Sequence, residues 1–563
     1  MRFGPKIGGI FAEYGDTISA AGGSKEPNND NIPRAYACLS IVSGKEKRMK
    51  ASSSFLVVAC ILFGNAVASA AILDPVSTDS GLISGTTGSN REIRVYKGIP
   101  YAAPPVGQLR WHAPQPVASW EGLRKADHFG PVCSQARTNA GSSGTQSPMS
   151  EDCLYLNVWT AVKSAREKRP VMVWSHGGGY TMGSGDSPQF DGEALAKKGI
   201  VLVTYNYRLG IFGFFAHPEL TRESGRNASG NYGLMDLAAA LRWVQKNISK
   251  FGGDPNRVTI FGVSAGAGLV ANLVGSPEAK GLFQRAIAQS GAWMGIRIGL
   301  PMTLSQSEAA GIKVAEALGA KSLTELRAKS AEELLKSSRG AGPIVDGWFI
   351  PTDLSTIYAQ GKQNDVDVLV GSNQDEGTFF TRPGSSSADA FIKQSQQRFG
   401  ALAETFLKLY PAGSNAEAEV SQLASFRDEL AWLMSRWARL QSKRGKGKAY
   451  LYYFAHVPPT APGTPSRGAT HGAETSYVFQ NLTPASLPWT DLDRQVADAL
   501  SSYWASFAAK GNPNGKSLPV WPAINPSGDN RRMVLGDKIG IGSALEASKY
   551  DFFDAYYSSL QTR

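Results

Sequence analysis

The sequence predicts an α/β fold in which a central, mostly parallel β-sheet is covered by helices on both faces. Short, near-continuous apolar segments alternate with segments of helical spacing, as expected for parallel strands that are buried on both sides. A strand, a sharp turn and a helix also follow one another directly at residues 258–273. The chain has 563 residues, more than the usual single-core limit of about 250–300, but large α/β proteins often keep one sheet and add capping segments.

The elements follow in order along the chain. Residues 81–130 are punctuated by prolines, which predicts short antiparallel strands and turns. Apolar runs then predict strands at Leu154–Trp159, Val171–Trp174, Ile200–Tyr205, Val258–Phe261, Arg285–Gln289, Val366–Val370 and Tyr450–Phe454. Helical spacing predicts helices at Leu234–Asn247 and Asp491–Lys510. The mainly helical pattern between about residues 300 and 440 predicts an insertion that caps the carboxyl-terminal edge of the strands.

The N-terminal region predicts export. Residues 1–48 are rich in Gly, Asn, Lys and Ser without periodicity, so we interpret them as an upstream extension without a packed core. Residues 49–70 resemble a signal peptide, with positive charge at the start, an apolar run and a small-x-small cleavage site at Ala68–Ala70. The apolar run is too short to cross a bilayer of about 30 Å, so no stable membrane insertion is expected. Residues 71–563 then form the exported domain, secreted or periplasmic, with translation starting at Met49.

The four cysteines agree with this interpretation. Cys38 lies in the extension and Cys60 in the signal peptide, which leaves Cys133 and Cys153 as a disulfide pair in an oxidising compartment. Two reduced, buried thiols are the alternative. Lipidation at Cys60 is a further alternative, but the apolar segment continues past this residue, which argues against it.

The net charge of +11 does not indicate a nucleic-acid partner. The basic residues are dispersed along the chain, and the one tight cluster, Lys443–Lys448, has the pattern of a solvated loop ahead of a strand. We therefore expect no nucleic-acid partner.

Ser264 is the candidate nucleophile. It occupies the centre of a Gly-x-Ser-x-Gly motif between the strand Val258–Phe261 and a helical segment. In such a turn the glycines at 262 and 266 avoid collisions with the neighbouring strand and helix, and the serine is exposed at a helix N-terminus that favours negative charge. The motif alone occurs by chance in a chain with 61 glycines, but here its strand and helix accompany it.

A serine nucleophile needs a general base and an acid that orients it, and in this fold class they follow in the order serine, acid, histidine. Of six histidines, only His456 and His471 follow Ser264. His471 lies in a glycine-containing turn suited to reach over the sheet, whereas His456 ends a strand and is better explained as a core or rim residue. Asp375 and Glu376 follow a predicted buried strand, and spacing alone does not choose between these two acids.

The third requirement is a set of donors for an oxyanion. His176-Gly177-Gly178-Gly179 follows a predicted strand, and successive glycines allow backbone N–H groups to face a bound carbonyl oxygen. Together with the N–H of Ala265, this loop predicts a pocket of three donors.

With these motifs the chain resembles the type B carboxylesterases, the family of cholinesterases, bile-salt-type lipases and bacterial p-nitrobenzyl esterases. The resemblance covers residues 75–560 and is carried by the motifs Ser150–Trp159 and Phe251–Gly266. It implies an α/β-hydrolase fold, and an ester hydrolase that requires no metal or cofactor. The resemblance also implies these site residues: a triad of Ser264, Glu376 and His471, oxyanion donors Gly178, Gly179 and Ala265, supporting residues Ser290 and Glu474, and the disulfide Cys133–Cys153.

Two departures from the family pattern narrow the expected substrate. Val263 stands where the family usually has glutamate beside the nucleophile, which removes a negative charge and disfavours a cationic alcohol such as choline. The segment between Cys133 and Cys153 is short and lacks tryptophan, so neither an aromatic platform for quaternary ammonium nor a long lipase lid is expected there. We expect neutral or anionic small esters as substrates. A catalytically silent adhesion or binding protein on the same fold, or an amide or carbamate hydrolase, is the alternative; oligomeric state is not predicted.

Overall fold

The computed structural model describes residues 74–136, 147–292, 301–338, 342–382, 384–385, 387–482, 484, 486–525 and 531–561. The predicted upstream extension and signal peptide, with Cys38 and Cys60, lie outside these residues. The middle of the segment between Cys133 and Cys153 lies outside them as well.

Strands from both halves of the chain form one large sheet. The strands of the described residues are β1 (Val76–Ser77), β2 (Leu82–Ser84), β3 (Thr86–Thr87), β4 (Arg94–Pro100), β5 (Leu123–Lys125), β6 (Val132–Cys133), β7 (Met149–Ser150), β8 (Tyr155–Thr160), β9 (Arg169–Ser175), β10 (Val201–Tyr205), β11 (Gly253–Val263), β12 (Arg285–Gln289), β13 (Asp367–Asn373), β14 (Ala449–Phe454), β15 (Arg532–Leu535) and β16 (Ile539–Gly542). Eleven of these described strands pair in the order β16-β15-β14-β13-β12-β11-β9-β10-β8-β4-β3. Pairing is parallel from β15 to β10 and antiparallel at both ends, as the α/β prediction requires.

Helices connect the strands and cover the sheet. The α-helices of the described residues are α1 (Glu193–Lys197), α2 (Gly210–Gly213), α3 (Pro218–Glu223), α4 (Tyr232–Asn247), α5 (Ala265–Gly275), α6 (Leu304–Ala317), α7 (Leu323–Ala328), α8 (Ala331–Ser337), α9 (Leu354–Gln360), α10 (Gly377–Phe380), α11 (Ala388–Phe399), α12 (Ala403–Leu409), α13 (Asn415–Arg444), α14 (Glu474–Val478), α15 (Asp491–Lys510) and α16 (Ala547–Gln561). The helix predicted at residues 234–247 begins two residues earlier, and α15 has the predicted bounds.

The core lies on both faces of the sheet, because side chains alternate along each strand. Val173 of β9 belongs to one buried apolar cluster, with Leu269 of α5, whereas its neighbour Trp174 belongs to a second cluster, with Leu500 of α15. All four side chains are fully buried. Strands covered on both faces account for the near-continuous apolar runs of the sequence.

The helical region between about residues 300 and 440 is divided in two by β13. Helices α6 to α9 precede this strand and α10 to α13 follow it. Because β12, β13 and β14 are parallel neighbours, each helical segment is a crossover connection, which parallel strands require. The predicted insertion is therefore two connections that both leave from the carboxyl ends of strands.

The strand register brings the predicted site segments to one edge of the sheet. Ser175, the last residue of β9, pairs with Gly262 of β11, and Val263 of β11 pairs with Gln289 of β12. Gln289 pairs in turn with Gly371 of β13. The segments that follow these strands therefore start side by side. In the part of the chain that the structure describes, no helix is long and apolar enough to cross a membrane.

Candidate functional site

Ser264 lies at the turn between β11 and α5, as the motif predicts. It is the N-cap of α5 and has φ 56° and ψ −122°, a left-handed conformation that costs about 1–3 kcal/mol for a residue other than glycine. Its N–H donates to the carbonyl oxygen of Gln289 at 2.8 Å, and its carbonyl oxygen accepts from the N–H of Gly268 at 3.0 Å. These contacts hold the strained residue at the positive end of the helix.

The second glycine of the motif is required by close packing. A Cβ added at Gly266 would collide with the carbonyl oxygen of Ser175, at the end of the neighbouring strand β9. Backbone atoms cannot move aside as a flexible side chain can, so α5 can begin this close to β9 only with glycine here.

The glycine loop after β9 passes directly against the serine. A Cβ added at Gly177 would lie 3.2 Å from Ser264 Cβ. Gly178 and Gly179 have φ values of 108° and 61°, which favour glycine. Among the described residues, no acceptor binds the N–H groups of Gly178, Gly179 or Ala265. The three predicted N–H donors are thus free to bind a ligand atom near Ser264.

Glu376 is fully buried just after β13 and its carboxylate has three donors. Oε1 accepts from Ser290 Oγ at 2.6 Å and from the backbone N–H of Asn373 at 2.7 Å. Oε2 lies 2.5 Å from Nδ1 of His471. A buried carboxylate needs such compensation, because an unpaired charge away from water is costly.

His471 faces Glu376 with one ring nitrogen and is almost fully buried, with its side chain 7% exposed. The rings of Phe379 and Phe380 lie 5.5 and 5.1 Å from the imidazole, measured between ring centroids. The opposite nitrogen, Nε2, is buried and has no hydrogen-bond partner among the described residues. The structure therefore joins His471 to Glu376 and leaves Nε2 without a bond to Ser264.

The segments that carry Ser264 and His471 are nevertheless in contact. A Cβ added at Gly472 would lie 3.7 Å from Cγ2 of Val263, so the residue after His471 packs against the residue before Ser264. The missing bond between His471 Nε2 and Ser264 is compatible with a nucleophile and its base, because such hydrogen bonds are often long until substrate binds.

The surroundings of His471 favour its protonated form more than is usual for a histidine. Burial by itself lowers the pKa of this imidazole, but the charge and hydrogen bond of Glu376 and the charge of Glu474 outweigh burial. The pKa of His471 therefore lies above its usual value of 6.5.

Ser290 and Glu474, the two residues expected to support His471, make different contacts. Ser290, which has φ 55°, bonds directly to Glu376. Glu474 is fully buried and accepts from Gln289 Nε2 at 3.0 Å and Asn373 Nδ2 at 2.5 Å. Burial raises the pKa of Glu474, and these two bonds oppose part of the rise. Sequence reasoning missed Gln289 and Asn373, because only strand register brings these amides to the site.

The two rejected candidates have other partners. His456 is buried with its ring nitrogens 2.6 Å from Asp537 and 2.9 Å from Asp493, as expected for a core residue. Asp375 does not contact His471 and instead accepts the N–H of Ala469 through Oδ2 at 2.8 Å.

The remaining predicted feature is a disulfide. Cys133 and Cys153 form a disulfide. Within the described ranges, no group of three or more His, Cys, Asp and Glu side chains has the arrangement of a metal site.

Comparisons with known proteins agree on one family. The family model described as the carboxylesterase family matches residues 74–553. The chain is 39% identical over 498 residues to the fumonisin B1 esterase of Sphingopyxis macrogoltabida, covering 84% of this chain and 88% of that protein. It is 36% identical over 501 residues to the para-nitrobenzyl esterase of Bacillus subtilis (strain 168), covering 84% and 97%.

Solved structures give the same result for the fold. A PNB esterase structure matches with a TM-score of 0.75 and 35% identity, covering 85% of this chain and 99% of that one. These neighbours have the α/β-hydrolase fold, and the same fold is present here.

Replacing Glu376 by glutamine should lower the pKa of His471, because the anion and its charge-assisted hydrogen bond are lost. Glu474→Gln should lower this pKa by less, since Glu474 contributes charge without a hydrogen bond to the ring. NMR titration of the His471 Cε1 proton measures both effects. Glu404→Gln, at an exposed surface pair with Lys408, is the control and should leave the titration unchanged. An unchanged or raised pKa in Glu376→Gln would contradict this assignment of the electrostatics.

Proposed function

Since this chain belongs to the carboxylesterase family and is a carboxylic ester hydrolase, we propose that Ser264, Glu376 and His471 form its catalytic triad. We further propose that it is exported and acts on neutral or anionic small esters. The observation that carries the triad is the buried bond between Glu376 Oε2 and His471 Nδ1, beside a strained serine at a helix N-terminus.

In the proposed mechanism, His471 Nε2 removes the proton of Ser264 as the serine oxygen attacks the ester carbonyl. Glu376 fixes the tautomer of the imidazole, because its oxygen at Nδ1 requires the proton on that nitrogen and leaves Nε2 as the acceptor. The imidazolium then protonates the leaving alcohol, and an acyl-enzyme remains. Water activated by His471 attacks this ester, and Ser264 is regenerated with release of the acid.

The charge that develops on the carbonyl oxygen would be bound by the N–H groups of Gly178, Gly179 and Ala265. Support comes from their lack of other acceptors among the described residues and from the close approach of the glycine loop to Ser264. Donors fixed in place before the reaction need no reorganisation, and one such donor typically contributes about 10²–10³ in rate.

The proposed substrate class follows from charge near the nucleophile. Val263 is buried between Gly177 and Gly472, with its methyl groups toward both loops. An uncharged, apolar side chain here offers no anion to attract a cationic alcohol, which favours neutral or anionic esters. The relative at 39% identity is a fumonisin B1 esterase; the proposal for this chain is limited to the charge class of the ester.

Ser264→Ala should reduce kcat for a p-nitrophenyl ester by at least about 10⁴-fold, because the nucleophile is removed. The circular dichroism spectrum should not change. Ser249→Ala, at an exposed serine outside the site, should retain full activity. A fluorophosphonate should label the parent protein and the Ser249 variant but not the Ser264 variant. Labelling or turnover that survives Ser264→Ala would refute the triad. A parent protein that does not react would indicate a catalytically silent relative.

Two isosteric esters test the charge preference. The kcat/KM for 3,3-dimethylbutyl butyrate should exceed that for butyrylcholine, because only the second alcohol carries a positive charge. Val263→Glu should raise the choline-to-neutral ratio on the order of tenfold by placing an anion beside the nucleophile. Val263→Gln adds similar volume without charge and is the control. Equal ratios in the parent and the Glu variant would rule out a role for this position in charge selection.

The proposed export has its own test. Expression of the full chain in a bacterial host should give a protein outside the cytoplasm whose first residue is Ala71, as N-terminal sequencing reports. Ala70→Tyr replaces the small residue that precedes the cleavage site and should prevent processing. A cytoplasmic protein that keeps residues 49–70 would contradict the signal peptide.

A further inference from the structure

Two loops that carry the proposed base and acid are joined by a set of hydrogen bonds that the triad does not include. The acid loop comprises residues 373–378, and the histidine loop comprises residues 467–474. Each loop leaves the sheet from a different strand, so their relative position depends on contacts between them. Those contacts decide whether the 2.5 Å bond between Glu376 and His471 can form.

Asp375 makes a paired contact at the centre of this junction. Its backbone N–H donates to the carbonyl oxygen of Ala469 at 3.0 Å, and its side-chain Oδ2 accepts the N–H of the same residue at 2.8 Å. The two segments also form an isolated parallel bridge between Asp375 and Thr470. Asp375 therefore binds both polar backbone groups of Ala469, two residues before the imidazole.

The local backbone is adapted to this contact. Gly468 has φ 70°, and a Cβ added there would collide with Oδ2 of Asp375. The glycine thus allows the carboxylate to approach the loop backbone closely. Ala469 itself is fully buried, so its N–H depends on an acceptor within the protein, and a buried N–H left without one is destabilising.

Two further side chains complete the junction on either side of Asp375. Thr378 Oγ1 lies 2.8 Å from the carbonyl oxygen of Arg467 and 2.9 Å from Thr470 Oγ1. Asn373 Nδ2 donates to the carbonyl oxygen of Thr470 at 2.8 Å. These contacts lie on either side of Ala469, whose backbone N–H and carbonyl oxygen both bind Asp375.

Asp375 is expected to affect His471 through its hydrogen bond to the loop rather than through its charge. The groups that shift the titration of His471 are Glu376 and Glu474, and Asp375 is not among them. An effect of Asp375 on the imidazole must therefore be transmitted through the position of the loop.

We propose that Asp375 is a positioning residue, which holds the histidine loop through the N–H of Ala469 so that His471 meets Glu376. This inference rests on the proposed function of His471 as the base. It gives a role to the acidic residue that sequence spacing alone could not distinguish from Glu376.

The test compares Asp375→Ala with Asp375→Asn. The alanine variant removes the acceptor for Ala469, whereas asparagine keeps an oxygen at the same position and loses only the charge. Asp389→Ala removes an exposed acid from the first turn of α11 and is the control. Each protein is measured for kcat and KM on a p-nitrophenyl ester, for hydrogen exchange in residues 467–474, and for the downfield NMR signal of the His471 Nδ1 proton.

Asp375→Ala should lower kcat by about 10–100-fold with little change in KM, because a displaced base slows the chemical step more than binding. Exchange in residues 467–474 should become about tenfold faster, as for the loss of one hydrogen bond, and the Nδ1 signal should broaden. Asp375→Asn should have the kcat, the slow hydrogen exchange and the sharp Nδ1 signal of the parent protein. Asp389→Ala should match the parent in all three measurements.

The proposal is overturned if Asp375→Ala keeps the parent's exchange rate and Nδ1 signal, or if asparagine fails to rescue them. The exchange and NMR measurements do not need turnover. A parent protein that hydrolyses no ester but shows the expected loop response would therefore refute the proposed function and leave the role of Asp375 in the loop intact.

Discussion

The interaction on which the site depends is the buried contact between Glu376 and His471. A carboxylate removed from water is stable only if its oxygens are satisfied, and Glu376 has three donors, from Ser290, Asn373 and His471. Two of these donors, Ser290 and His471, come from segments that follow strands other than β13. The charge of Glu376 can therefore be buried only when β12, β13 and the histidine loop are already in register. The same constraint fixes the direction of the imidazole.

The sheet supplies that register. Parallel pairing of β9, β11, β12 and β13 aligns the carboxyl ends of these strands, where ligands of open α/β sheets bind. The glycine loop, Ser264, Ser290 and Glu376 each follow one of those ends. The close approach of α5 to β9, which needs glycine at 266, then presents the helix N-terminus to the same edge. Both Ser264 and Ser290 have a positive φ, so two strained residues lie where four connections converge.

Local motifs made part of this arrangement predictable. The turn at Ser264 is encoded within a few residues, and the apolar runs located β8 to β14 because strands covered on both faces leave a clear pattern. Asp375 and Glu376 are adjacent acids on one turn, and their different directions depend on Ala469 and His471, about 95 residues later. Composition and spacing carry no signal for such distant pairs, so the choice required a family resemblance. Gln289 and Asn373 were missed for the same reason.

The last feature of the site is the distribution of negative charge near His471 and Ser264. Within the described residues, the negative groups that raise the pKa of His471 are Glu376 and Glu474. Both carboxylates stabilise an imidazolium at position 471. A glutamate at position 263 would stabilise the same imidazolium but would also repel an anionic substrate. In the proposed mechanism, valine at this position leaves the stabilisation of the imidazolium to Glu376 and Glu474 and adds no charge beside Ser264.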